Sequence, residues 1–91
     1  MVDADDLLRG RLIEALMCDF RIDRAEILAG YEVTPDALQV MFADVARTFG
    51  SMVQLDATGL SIPVEGRPLT RMIARSFDAY DQSRAQHAAA I

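Results

Sequence analysis

Ninety-one residues, 52% hydrophobic and 25% charged, hold enough apolar side chain for one self-sufficient core and are too few for two. Fourteen acids against nine basic residues, all arginine, leave a net charge of −5, so the summed field repels nucleic acid and anionic lipid. No apolar run approaches the roughly 18 residues that span a bilayer, and one cysteine, Cys18, excludes an internal disulfide or a self-contained zinc or iron–sulfur site.

The start, Met-Val-Asp-Ala-Asp-Asp, is acidic where a secretory signal is basic and then apolar, so the expected compartment is the reducing cytoplasm. From Asp5 to Cys18, Leu8, Leu12 and Leu16 with Ile13, Met17 and Phe20 recur at spacings of three and four, one face of a first helix. Asp3, Asp5 and Asp6 fall at its positive end, where capping outweighs a divalent-ion site, because hard cations need several fixed oxygens. Phe20-Arg21-Ile22 alternates apolar and polar and predicts a short strand. Asp23 and Glu26 then have the spacing of a capping box for a second helix, which carries Ile27 and Leu28 and stops at Gly30 in a left-handed cap.

Thr34-Pro35-Asp36 supplies a hydroxyl cap, a first-turn proline and a first-turn acid for a third helix. Leu38, Met41, Phe42, Val45 and Phe49 form its stripe, which ends before Gly50. The period then changes to two: Val53 and Leu55, then Leu60, Ile62 and Val64, flank Asp56-Ala57-Thr58-Gly59 as a hairpin turn. Leu69, Met72, Ile73, Phe77 and Tyr80 restore helical spacing, and Pro68 requires a fourth helix to begin near Glu65 to Arg67. These elements predict one mostly α, winged-helix-like domain with a small β-hairpin over residues 1–84, and a frayed tail over residues 85–91.

A DNA-reading winged helix would present basic and amide side chains on its third helix. Here the non-core positions are Asp36, Ala37, Gln39, Val40, Ala43, Asp44, Ala46, Arg47 and Thr48, and the wing tip adds Asp56. No nucleic-acid partner is expected. Cys18 reads as a buried structural thiol, since the single histidine, His87, lies in the tail and cannot lower its pKa or complete a Ser–His–Asp set. Glu65-Gly66-Arg67 is one glycine at a junction and no phosphate loop.

Arg67, Arg71 and Arg75 repeat every four residues and predict a ridge along the fourth helix. Planar guanidinium forks suit carboxylates, on an anionic small molecule or on an acidic partner; a solvated face paired with Asp78 and Asp81 is the competing reading. Spacing alone therefore describes a non-catalytic module with no cofactor or metal site of its own.

Arg11-Leu12-Ile13-Glu14-Ala15-Leu16-Met17-Cys18-Asp19-Phe20, Gly59-Leu60, Gly66-Arg67, Arg71-Met72-Ile73-Ala74 and Phe77-Asp78-Ala79-Tyr80 together resemble the C-terminal domain of oxygen-independent coproporphyrinogen III oxidases. The resemblance runs from about Asp5 to Tyr80. It implies a role beside a radical S-adenosylmethionine barrel whose [4Fe–4S] cluster is held by three cysteines, in the decarboxylation of coproporphyrinogen III to protoporphyrinogen IX for haem. The barrel and its motif are absent from these residues, so no catalytic residue carries over. What the resemblance implies is a cover or docking domain, with the barrel in cis or trans and the anionic porphyrinogen as partners of Arg67, Arg71 and Arg75. The family pattern places a basic residue ahead of Gly-Arg, where Pro63-Val64-Glu65 stands here. A stand-alone interaction or regulatory winged helix is the alternative.

Overall fold

The computed structural model describes residues 4–78. Helix α1 (Ala4–Asp19) realises the leucine stripe: Leu8, Leu12, Ala15 and Leu16 are buried, and Ile13 half-buried. Met17, expected in that stripe, is 42% exposed, since one residue past Leu16 is about 100° further round the helix. Phe20 ends the helix with φ +57°, the left-handed region that non-glycine residues rarely enter. Two hydrogen bonds hold it there: its N–H donates to the Leu16 carbonyl at 3.1 Å, and its own carbonyl accepts from Ile62 N–H at 2.8 Å.

Strand β1 (Arg21–Asp23) thus starts one residue later than the alternation suggested. Only half of the expected capping box forms at helix α2 (Arg24–Gly30): the Asp23 carboxylate accepts from Ala25 N–H at 3.2 Å, whereas Glu26 reaches across to Arg11. Gly30 takes no left-handed turn. The extended Tyr31 closes the helix instead, its N–H donating to the Ile27 carbonyl at 3.0 Å.

Helix α3 (Pro35–Phe49) follows its predicted bounds, with the Thr34 hydroxyl accepting from Ala37 N–H at 3.1 Å. Leu38, Met41, Phe42 and Val45 enter the core together with Ala37, expected on the non-core face but buried one position before Leu38, and Gly50 stops the helix at φ +57°. A 3-10 turn (Gly50–Met52) leads into strands β2 (Gln54–Asp56) and β3 (Gly59–Ser61). The hairpin is there, and β1 joins it to make a three-stranded antiparallel sheet of order β1-β3-β2, with Leu60 opposite both Ile22 and Leu55. Helices α2 and α3 and this hairpin stand in the order of a winged helix-turn-helix.

Between β2 and β3 the Asp56 carboxylate accepts from the Thr58 hydroxyl at 2.6 Å and from the N–H groups of Thr58 and Gly59 at 2.9 and 3.1 Å. The Thr58 hydroxyl first, then the two amides, hold this carboxyl below the usual range for an aspartate. A depressed folded pKa stabilises above the unfolded value, and that contribution disappears as pH falls through the folded value. Stability followed from about pH 5 to about pH 2 is therefore expected to fall less steeply in Asp56→Ala than in the parent chain; identical slopes would remove Asp56 from the acid response.

Helix α4 (Thr70–Asp78) begins later than expected, after a 3-10 segment (Val64–Leu69). Pro68 accounts for the delay, because proline donates no hydrogen bond and its ring crowds the carbonyl four residues back, so a regular α-helix runs only beyond it. Val64, expected to extend the strand's buried face, opens this segment at 71% exposure, and Met72, expected in the core, is 60% exposed. Ile73, Ala74 and Phe77 are buried against α1 and α3, with the Phe77 ring edge-on to Phe42 at 6.5 Å between centroids. Tyr80, His87, Asp3 and the expected tail lie outside the described residues.

Candidate docking face

The basic ridge divides between two elements. Arg67 belongs to the 3-10 segment, not to α4 as its spacing suggested, and Arg71 and Arg75 lie on α4, about 6 Å apart along its axis. Thr70 joins the pieces, its hydroxyl donating to the Arg67 carbonyl at 2.7 Å. All three arginines are exposed. Among the described residues none has a hydrogen-bonding or ion-pair partner for its guanidinium; that of Arg67 lies over the Phe20 ring, 4.5 Å from its centroid. The side chains of Asp78 and Asp81, the expected partners, are outside the described ones.

Elsewhere most arginines are spent internally, Arg21 on β1 being exposed with no hydrogen-bonding partner among the described residues. Arg9 binds Asp6 at 2.5 Å, and Arg47 pairs with Asp44. Arg11 forks onto Glu26, its Nε and Nη2 donating at 2.7 and 3.0 Å, and also donates to Glu14 at 2.8 Å, tying α1 to α2. The Arg11 hydrogen bonds hold the Glu26 carboxyl below its ordinary value, and those to Glu26 and Glu14 raise the Arg11 guanidinium above its own. Residues 4–58 carry five arginines and ten acids, whereas residues 59–78 carry three arginines and two acids, Glu65 and Asp78. Three of the exposed arginines without a hydrogen-bonding partner among the described residues thus fall on one stretch, which also exposes Val64 and Met72.

Sequence reading missed Arg24. Its Nη1 donates to Gln39 Oε1 at 2.7 Å and its Nη2 to the Asp56 carbonyl at 3.1 Å, while its guanidinium lies 5.3 Å from the Phe42 centroid. One side chain therefore fastens α2 to α3 and β2, and no local pattern announces a contact across 32 positions of sequence. The same bond occupies Gln39, and Asp44 occupies Arg47, so these polar side chains of α3 are engaged within the domain.

Open surface clefts lie away from the ridge: one of about 480 Å³ lined by Arg24, Gln39, Leu55, Asp56 and Ala57, and one of about 390 Å³ lined by Arg11, Asp19, Arg21, Asp23 and Glu26. Cys18 is exposed, which overturns the buried reading: two residues past Leu16 it sits about 200° round the last turn of α1. Among the described residues no three His, Cys, Asp or Glu side chains gather as a metal site, and no helix is long and apolar enough to cross a membrane.

The described residues form a small helical domain with one short three-stranded sheet and an exposed basic ridge. Its sequence and fold match the C-terminal region of oxygen-independent coproporphyrinogen III oxidase. The chain is 52% identical over 79 residues to the enzyme of that name from Cereibacter sphaeroides, covering 87% of this chain and 18% of the relative. It is 50% identical over 88 residues to that of Paracoccus denitrificans, covering 97% and 20%. Among solved structures, coproporphyrinogen III oxidase from Escherichia coli, a radical SAM enzyme, superposes with a TM-score of 0.66 at 28% identity, over 87% of this chain and 19% of that one. No family model matches the chain. It spans about one-fifth of the length of the curated relatives it matches.

A radical SAM enzyme requires an iron–sulfur cluster, and the residues here do not fit one. Thiolates hold such clusters, and the chain has one cysteine, exposed at the end of α1.

Proposed function

We propose that this chain is the non-catalytic C-terminal cover or docking domain of a coproporphyrinogen III oxidase that works by radical SAM chemistry in haem biosynthesis. The observation that carries the reading is the match over 97% of the chain to one-fifth of such an enzyme, at 50% identity. In this role the domain seats against the cluster-bearing barrel, in cis or in trans, and helps to enclose the substrate. Arg67, Arg71 and Arg75 contact the barrel or the propionates of the porphyrinogen. The exposed thiol of Cys18 suits a reducing compartment, the cytoplasm.

The purified chain, supplied anaerobically with coproporphyrinogen III, S-adenosylmethionine and a reductant, is expected to form no protoporphyrinogen IX. Turnover by the chain alone would overturn the reading. The alternative of a stand-alone regulatory winged helix is not favoured, because the match continues through both the α1 segment and the ridge.

A further inference from the structure

We propose that Phe20 is a positioning residue that sets Arg67 as a two-pronged carboxylate receptor, and that the receptor's occupant is a carboxylate on an acidic protein face; this rests on the docking reading above, with the barrel as the source of that face. The Phe20 backbone is clamped at φ +57° between the Leu16 carbonyl and Ile62 N–H, which fixes where its ring emerges. The ring packs partly on the core and leaves room for the Arg67 guanidinium, 4.5 Å from its centroid. A guanidinium lying over an aromatic face can keep N–H donors free to meet a planar carboxylate with two parallel hydrogen bonds. Among the described residues Arg67 donates none of them.

The occupant follows from the surroundings. Along the same stretch as Arg67 the chain exposes Val64, Arg71, Met72 and Arg75 together with one acid, Glu65, while Asp19 is exposed beside Phe20. Arginine and methionine are enriched in protein–protein interfaces, and the local excess of arginine selects an acidic counterpart.

The test uses the whole 91-residue chain and nuclear magnetic resonance of the Arg67 side chain. Stacking is expected to shift its δ-methylene signals upfield, and Phe20→Leu to abolish that shift. Titration with hexaglutamate at physiological ionic strength is expected to move the Arg67 Nε–H signal. Phe20→Leu should weaken the apparent affinity at least about threefold, and Arg67→Lys, a surface change that keeps the charge and removes the fork, should do the same. Citrate is expected to bind more weakly per carboxylate. A still Arg67 signal, a δ-methylene shift or an affinity unchanged in Phe20→Leu, unchanged affinity in Arg67→Lys, or citrate binding at least as tightly per carboxylate overturns the proposal, the last by making the site a small-molecule receptor. A silent titration beside an active enzyme hybrid carrying this domain rejects the receptor alone; a folded but inactive hybrid rejects the docking reading.

Discussion

Gly66→Ala is expected to destabilise the domain by about 3 kcal/mol or more, because an added methyl group there has no room and its neighbours are backbone. A Cβ on Gly66 would lie 2.0 Å from the Met52 carbonyl oxygen, 2.9 Å from the Met52 carbonyl carbon and 3.0 Å from Ile62 Cγ2. Two 3-10 turns cross at this point, the one that ends in Met52 and the one that carries Arg67. Relief requires the whole segment before α4 to move, taking Arg67 off the Phe20 ring. For a domain of this size the thermal midpoint should fall by at least about 12 °C. Gly30→Ala is the control: nothing lies within 4 Å of its added carbon and the residue is helical, so a neutral or slightly stabilising effect is expected. Equal midpoints for the two variants, measured by calorimetry, would contradict the close crossing.

Phe42→Ala is expected to remove about 3 to 5 kcal/mol, much of the roughly 5 to 14 kcal/mol that a domain of this length holds in total. Phe42 is fully buried, makes a T-shaped contact with Phe77 of α4 and lies under the guanidinium of Arg24. Deleting its ring opens a cavity where α3 meets α4. It also leaves Arg24, whose Nε is already buried without a hydrogen-bond partner, without its aromatic support. Phe42→Leu, which fills part of the space, should cost about 1 to 2 kcal/mol. Chemical denaturation checks the order; an alanine variant as stable as the leucine variant would show that the ring is not the joint between these helices.

Much of this fold is legible from periodicity. The stripes of α1 and α3, the Thr34 cap and the stop at Gly50 are set within a few residues of chain, so local spacing suffices to find them. The pairing of β1 with β3 is not local: Ile22 and Leu60 meet across the sequence, and three residues of alternation say nothing of a partner. The left-handed turn at Phe20 is dictated by its hydrogen bonds to Leu16 and Ile62, not by a glycine that could be spotted. Spacing names a stripe without its width, which is why Met17 and Met72 read as core and stand exposed. At the candidate face, Arg67, Arg71 and Arg75 were visible by their repeat. That Arg67 precedes α4 and lies on Phe20 was not, because the first follows from Pro68 in the 3-10 segment and the second from a contact between residues distant in sequence.

The docking role is tested most directly by replacing the matched segment of the Paracoccus denitrificans oxidase with this chain. The anaerobic conversion of coproporphyrinogen III is then measured together with cluster content in the same sample. The account predicts that the hybrid keeps its cluster and works within about tenfold of its parent, a barrier change of about 1.4 kcal/mol. A hybrid that folds and carries its full cluster yet makes no product would contradict it.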